Sequence, residues 1–232
     1  MNGPVAPDER TARALWSRIA EPGDAAAHAL VAQQGAVAAL TRVGAGSAEA
    51  RWAARLERLE PVALHVASRS GIRVVIPGDD EWPCGLDDLG PAAPFCLWVR
   101  GDLDLAQVVR RSVSVVGARA SSGYGEYVAG ELGIGCGEAG LAVVSGAAYG
   151  IDGSAHRGAL ATDAPTVAVL ACGVDRVYPR GHEQLLARIR GHGLLVSEVP
   201  PGSSPTRWRF LQRNRLIAAL TQGTVVVEAA VG

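Results

Sequence analysis

The densest chemistry in the 232-residue sequence lies between Val199 and Val227, where Arg207, Arg209, Arg213 and Arg215 share a stretch with no acidic residue. Trp208 and Phe210 interleave with the first of these arginines. Guanidinium forks grip phosphate oxygens, and aromatic faces accept stacked bases, so the mixture suits a polyanion with bases better than one small phosphate. The tract carries +4 in a chain whose total is −1, which leaves −5 on the remainder. The plainer alternative buries both rings and leaves the arginines in solvent.

A second candidate is the turn Gly117-Ala118-Arg119-Ala120-Ser121-Ser122-Gly123-Tyr124-Gly125. Its glycines, Gly117 first, permit close backbone approach; Ser121 and Ser122 can cap a helix, and Arg119 can fork onto a phosphate. A literal GxGxxG at Gly135, Gly137 and Gly140 reads instead as a helix end, because a dinucleotide fingerprint must follow a strand and open a helix. No carboxylate after Ser145-Gly146 is placed to hold a ribose hydroxyl, which argues against a nicotinamide cofactor. Asp152 and His156 stand four apart on an expected helix and could pair. With no nucleophile beside them, capping and loop-holding outweigh catalysis.

All 22 basic residues are arginine. A Walker A loop and Schiff-base catalysis both need lysine and are excluded. Cys84, Cys96, Cys136 and Cys172 form no CxxC pair, and no ligand cluster surrounds His182, so neither metal nor cofactor is expected and the compartment reads as reducing. The N-terminus lacks an apolar signal core, and no stretch reaches ~18 uncharged apolar residues. A cytoplasmic protein without membrane association is expected.

These groups must be positioned by elements, and the texture of the chain suggests which. Residues 1–66 read as a small helical domain of the SAM-like kind, with helices from Asp8, over Ala25–Leu40 and over Ala48–Leu59. Residues 67–110 read as a strand-and-turn lead-in. From there to residue 232, aliphatic runs at Val113–Val116, Leu141–Val144, Val167–Leu170, Leu194–Val196 and Thr224–Val227 alternate with helices, the last helix from Arg213 to Leu220. That alternation predicts an α/β fold, a Rossmann-like parallel sheet with helices on both faces. Ligands of such sheets sit beyond the carboxyl ends of the strands, where the candidate loops lie. Arg119, Arg213 and Arg215 are expected on one continuous anion site. The last strand has no covering helix after it, so the second domain reads as truncated at its C-terminus.

Taken together, VGARASSGYG (116–125), VVSGAAYGIDGSAHRGAL (143–160), TVAVLACGVDRVYP (166–179), LLVSEVPPGSSP (194–205), FLQRNRLIAAL (210–220) and VVVEA (225–229) resemble the bacterial DNA-processing protein A family, DprA or Smf. IAEPGD (19–24) and EWP (81–83) match the family's front half. The resemblance implies a Rossmann-like domain that binds single-stranded DNA and assists loading of the recombinase RecA in natural transformation. It implies DNA-pocket roles for Arg119, Arg207, Phe210, Arg213, Asn214 and Arg215, with Ser145 and Gly146 at positions of close backbone approach. It further implies a homodimer in the full-length protein and no enzymatic activity. Ala118, Ala171 and His182 depart from the family's usual Ser or Thr, Gly and Asn. The rival reading is a nucleotide hydrolase of the lysine-decarboxylase-like group, faintly echoed by Gln222-Gly223-Thr224 with Glu228 beyond; a structural interaction module is a third.

Overall fold

The aliphatic runs form β3 (Ser112–Val116), β4 (Ala142–Ser145), β5 (Thr166–Val169), β6 (Leu194–Ser197) and β7 (Thr224–Val226). Preceding them are β1 (Ile72–Val75) and β2 (Leu97–Arg100). The computed structural model describes residues 7–46, 48–58 and 70–229. All seven strands join one sheet in the order β1-β2-β6-β5-β4-β3-β7. The five later strands are mutually parallel, whereas β2 runs antiparallel to β6 and β1 antiparallel to β2. The lead-in is therefore more than a connector. Leu97, Trp98 and Val99 are fully buried, and that apolar gain, on the order of 1.5–3 kcal/mol per large side chain, seats the hairpin on the sheet edge.

Nine α-helices surround the sheet among the described residues. The helical unit comprises α1 (Glu9–Ile19), α2 (Ala25–Gln34), α3 (Ala36–Gly44) and α4 (Ala50–Glu57). The single helix expected over Ala25–Leu40 breaks at Gly35, whose φ of 79° leaves the helical region where other residues are strained. Leu59 and the expected boundary at 66 lie outside the described residues, as do 230–232. Trp16 sits at the centre of this unit, edge-on to Trp52 at 5.4 Å and stacked on Phe95 at 5.7 Å. Phe95 belongs to the lead-in, so the two parts share a core.

The remaining helices are α5 (Leu105–Val109), α6 (Gly123–Glu138), α7 (Ile151–Ala161), α8 (Glu183–His192) and α9 (Arg207–Ala219). One face of the sheet is covered by α6, α7 and α8; α5, α9 and a 3₁₀ stretch over Cys84–Ala92 cover the other. The expected three-layer α/β arrangement stands. The two ends of the GxGxxG are as expected: Gly135 and Gly137 lie in the last turns of α6, and Gly140 follows its C-cap with φ 68°. Further glycines let α6 and α7 meet backbone to backbone. A Cβ on Gly133 would stand 2.3 Å from the Ala155 carbonyl oxygen, and one on Gly158 2.2 Å from that of Gly130.

The last helix begins six residues earlier than expected. Thr206 caps it, its hydroxyl accepting the Arg209 N–H at 3.2 Å, which places all four arginines of the tract inside α9.

Candidate nucleic-acid interface

The loops after β3, β4 and β5 open on one side of the sheet, and α9 lies against them. In the first loop Arg119 is exposed, and its guanidinium lies 4.4 Å from the centre of the Phe210 ring. Tyr178, from the loop after β5, approaches the same ring at 5.5 Å. A cation over an aromatic face is attracted by the ring quadrupole, and the pair leaves the outward guanidinium N–H groups free for an acceptor. Gly117 starts this loop because a Cβ there would meet the Glu228 carbonyl oxygen and the Ile151 side chain at 2.7 Å.

The second loop is a buried frame. The Ser145 hydroxyl donates to the Val115 carbonyl at 2.6 Å, tying β4 to β3. The Asp152 carboxylate accepts the Gly146 and Ala148 N–H groups at 3.1 and 3.4 Å. Ala147 between them takes φ 54°, and its carbonyl is held at 3.1 Å by His182 Nδ1. From the other side the Arg213 guanidinium donates to the carbonyls of Gly146 and Val169. Glycine at 146 leaves room for that guanidinium, since a Cβ would fall 2.0 Å from Arg213 Nη1. Burial drives the Arg213 pKa down to about 10 against the pull of Asp152, and burial likewise raises Asp152 against the pull of Arg213. The two compensate each other. Asp152 and His156 do not pair: His156 Nδ1 meets the Thr166 hydroxyl at 2.7 Å.

The arginines of α9 diverge. Arg207 is exposed at the first turn, and Asn214 is exposed with its carbonyl accepting from Arg213 Nε at 3.2 Å. Arg209 pairs in bidentate fashion with Glu21 at 3.0 Å. Arg215 is engaged as well, its two terminal nitrogens donating to Glu198 at 3.0 and 2.6 Å. Arg119, Phe210 and Arg213 are thus brought together, Arg213 only from beneath, and the continuous site expected to include Arg215 does not form. Sequence reasoning passed over Tyr178 and Tyr149, which is exposed and whose hydroxyl accepts the Gly181 N–H at 3.2 Å.

Two cavities frame the arginine–aromatic contact. One of about 100 Å³ lies between Arg119, Phe210, Tyr178 and the backbone of 146–149; one of about 500 Å³ continues between α9 and β7. The N-terminus of α6, where a Rossmann fold would hold a nucleotide phosphate, already carries an anion. Glu228 accepts the Ser122 N–H at 3.0 and 3.1 Å and its hydroxyl at 2.8 Å, and a Cβ on Gly125 would stand 2.0 Å from that carboxylate. The Glu228 singled out for the hydrolase reading is engaged in capping. Among the described residues no group of histidines, cysteines and carboxylates could hold a metal ion, and no helix is long and apolar enough to cross a membrane.

Fold and loops together define a Rossmann-like protein that offers arginine and aromatic groups at the carboxyl ends of its parallel strands. Residues 73–232 match the family described as DNA recombination-mediator protein A, and the chain belongs to that family. It is 46% identical over 237 residues to a Mycobacterium tuberculosis protein bearing the DprA name, covering 94% of this chain and 61% of that protein. It is 33% identical over 168 residues to the DNA processing protein DprA of Bacillus subtilis, covering 72% of this chain and 56% of that one. The solved structure of DprA from Streptococcus pneumoniae superposes with a TM-score of 0.74 at 28% identity, over 95% of this chain and 77% of that chain. DNA processing protein A from Helicobacter pylori, whose structure was solved for its single-stranded DNA binding mode, matches with a TM-score of 0.61 at 26% identity, over 69% of this chain and 70% of that chain. The chain thus spans about three fifths of the length of the first of these relatives.

Proposed function

We propose that this chain is the single-stranded DNA-binding part of a recombination mediator, gripping the strand at the loops after β3, β4 and β5 and the first turn of α9. Its contacts are Arg119 and Arg207 for phosphate, Phe210 and Tyr178 for bases, and the Gly117 and Gly146 backbones for close approach, with Ser145, Arg213 and Asn214 supporting them. The whole protein works in the cytoplasm as a homodimer that protects incoming DNA and assists RecA loading, and it is not an enzyme. The observation that carries the reading is the Arg119 guanidinium over Phe210 at the mouth of a cavity framed by Tyr178. The relative solved for its single-stranded DNA binding mode supports it.

The test is a fluorescence titration of labelled single-stranded and duplex oligonucleotides across salt. Single strands should bind more tightly with little sequence preference, and each neutralised phosphate should add about −0.7 to the slope of log K against log salt. Arg119→Ala should weaken binding by about tenfold and remove about 0.7 from that slope, with an unchanged melting temperature. A flat salt response, tighter duplex binding or an unaffected R119A variant overturns the proposal.

A further inference from the structure

The IAEPGD segment plays no part in the interface as described, yet it touches α9 at three successive residues. Glu21 pairs with Arg209, the Pro22 carbonyl accepts the Trp208 indole N–H at 3.0 Å, and Gly23 lies on the Gln212 carboxamide. A Cβ on Gly23 would fall 2.6 Å from Gln212 Oε1, and its φ of 78° excludes most other residues. The turn is itself held from behind. Arg55 of α4 donates to the Ile19 carbonyl at 2.9 Å and stands 3.8 Å from Glu21, while Asp24 caps α2. Arg209 is consumed by these contacts: its Nη1 donates to the Ser204 carbonyl at 2.8 Å, and only 17% of its side chain is exposed.

We infer that the Glu21–Gly23 turn of the helical domain is a lock on the DNA-binding helix, with Glu21 and Arg209 as positioning residues that set the rotation of α9 and do not touch the strand. Trp208 and Arg209 fix one side of the first turn of α9, and Arg207 and Phe210 present from the other. A helix has 3.6 residues per turn, so a small rotation released at Arg209 swings Phe210 off the Arg119 guanidinium and Arg207 off its line. A half-exposed anion beside a bound polyanion would repel it; neutralised by Arg209 and Arg55, Glu21 can sit near the strand. The inference rests on the reading of α9 as part of the DNA interface.

The experiment is a double-mutant cycle on single-strand affinity with E21Q, R209Q and the double variant, each followed by salt slope and melting temperature. R119A runs beside them as the control for the interface itself. Each single variant should bind about fivefold more weakly, the double variant no more weakly than the worse single, and the salt slope should stay at the wild-type value. A role in stability alone would lower the melting temperature and leave the affinity of the folded protein unchanged, which overturns the inference. So does a slope reduced by about 0.7 in R209Q, which would make Arg209 a phosphate ligand, or tighter binding by E21Q, or additive losses. If E21Q or R209Q does not fold, W208F, which removes the donor to Pro22 and keeps an aromatic ring, reads the same lock: weaker binding at constant slope supports it and unchanged binding overturns it. Weak binding in every protein, wild type included, or an unaffected R119A, indicts the interface reading instead.

Discussion

The turn after β3 and the loop after β4 end neighbouring parallel strands, yet they are built in opposite ways. The first is exposed, carries a free guanidinium, and is anchored at the surface by Glu228 at the N-terminus of α6. The second is buried, with its N–H groups on Asp152 and its carbonyls on Arg213 and His182. Arginine appears in both and does different physical work. In the turn it is an exposed guanidinium over Phe210; in the frame it is a desolvated strut that donates to the Gly146 and Val169 carbonyls and feels the Asp152 charge. The difference teaches that the proposed DNA site has a presenting part and a supporting part, and that disturbing them should give distinct phenotypes.

The frame should be the costlier to damage. Asp152→Ala leaves the buried Gly146 N–H and the half-buried Ala148 N–H without their acceptor and removes the opposing charge near buried Arg213, so urea unfolding should show a loss of about 3 kcal/mol. Per pH unit, a smaller change is expected from acid, carried by two buried histidines in separate parts of the core. His156, fully buried on α7, is held by burial near 3, and His28 near 4, against an ordinary 6.5. The unfolded chain therefore binds protons between pH 6.5 and about 4 that the folded chain refuses, and stability falls as pH falls through that window. Each histidine contributes about 1.4 kcal/mol per pH unit, and His156→Gln should flatten the acid slope by that share. The smallest effect belongs to the presenting turn. Glu228→Gln weakens a carboxylate cap at a helix N-terminus and should cost about 0.5–1 kcal/mol by the same denaturation assay. Equal losses for D152A and E228Q would erase the distinction between frame and turn.

Some of this was legible in the residues. A glycine-rich turn with one arginine after an aliphatic run marks the end of a parallel strand, and Arg119 stands there. Phe210 beside arginines was read as a face for stacked bases; in the structure the Arg119 guanidinium lies over that ring. The fate of the α9 arginines was not legible, because a charge count weighs each equally and their partners lie outside the window. Glu198 stands one residue before the tract begins, and Glu21 lies 188 residues away in the turn between α1 and α2. The start of α9 was hidden because Arg207–Gln212 has no aliphatic period, though Thr206 is an N-cap signal. The antiparallel hairpin was hidden for a different reason: β1 and β2 are four residues each, and pairing across a Pro- and Gly-broken segment is a long-range event.

The glycines of α6 reach further than packing. Six of its sixteen residues are glycine, each about 1 kcal/mol worse than alanine in a helix, so the segment in isolation favours coil. Its helical form depends on lying against α7, where those missing side chains make room for close approach. Their close packing makes the two helices a natural unit of local opening, gaining and losing order together. Separating Gly158 from Gly130 would therefore loosen the helix on which the turn that carries Arg119 rests.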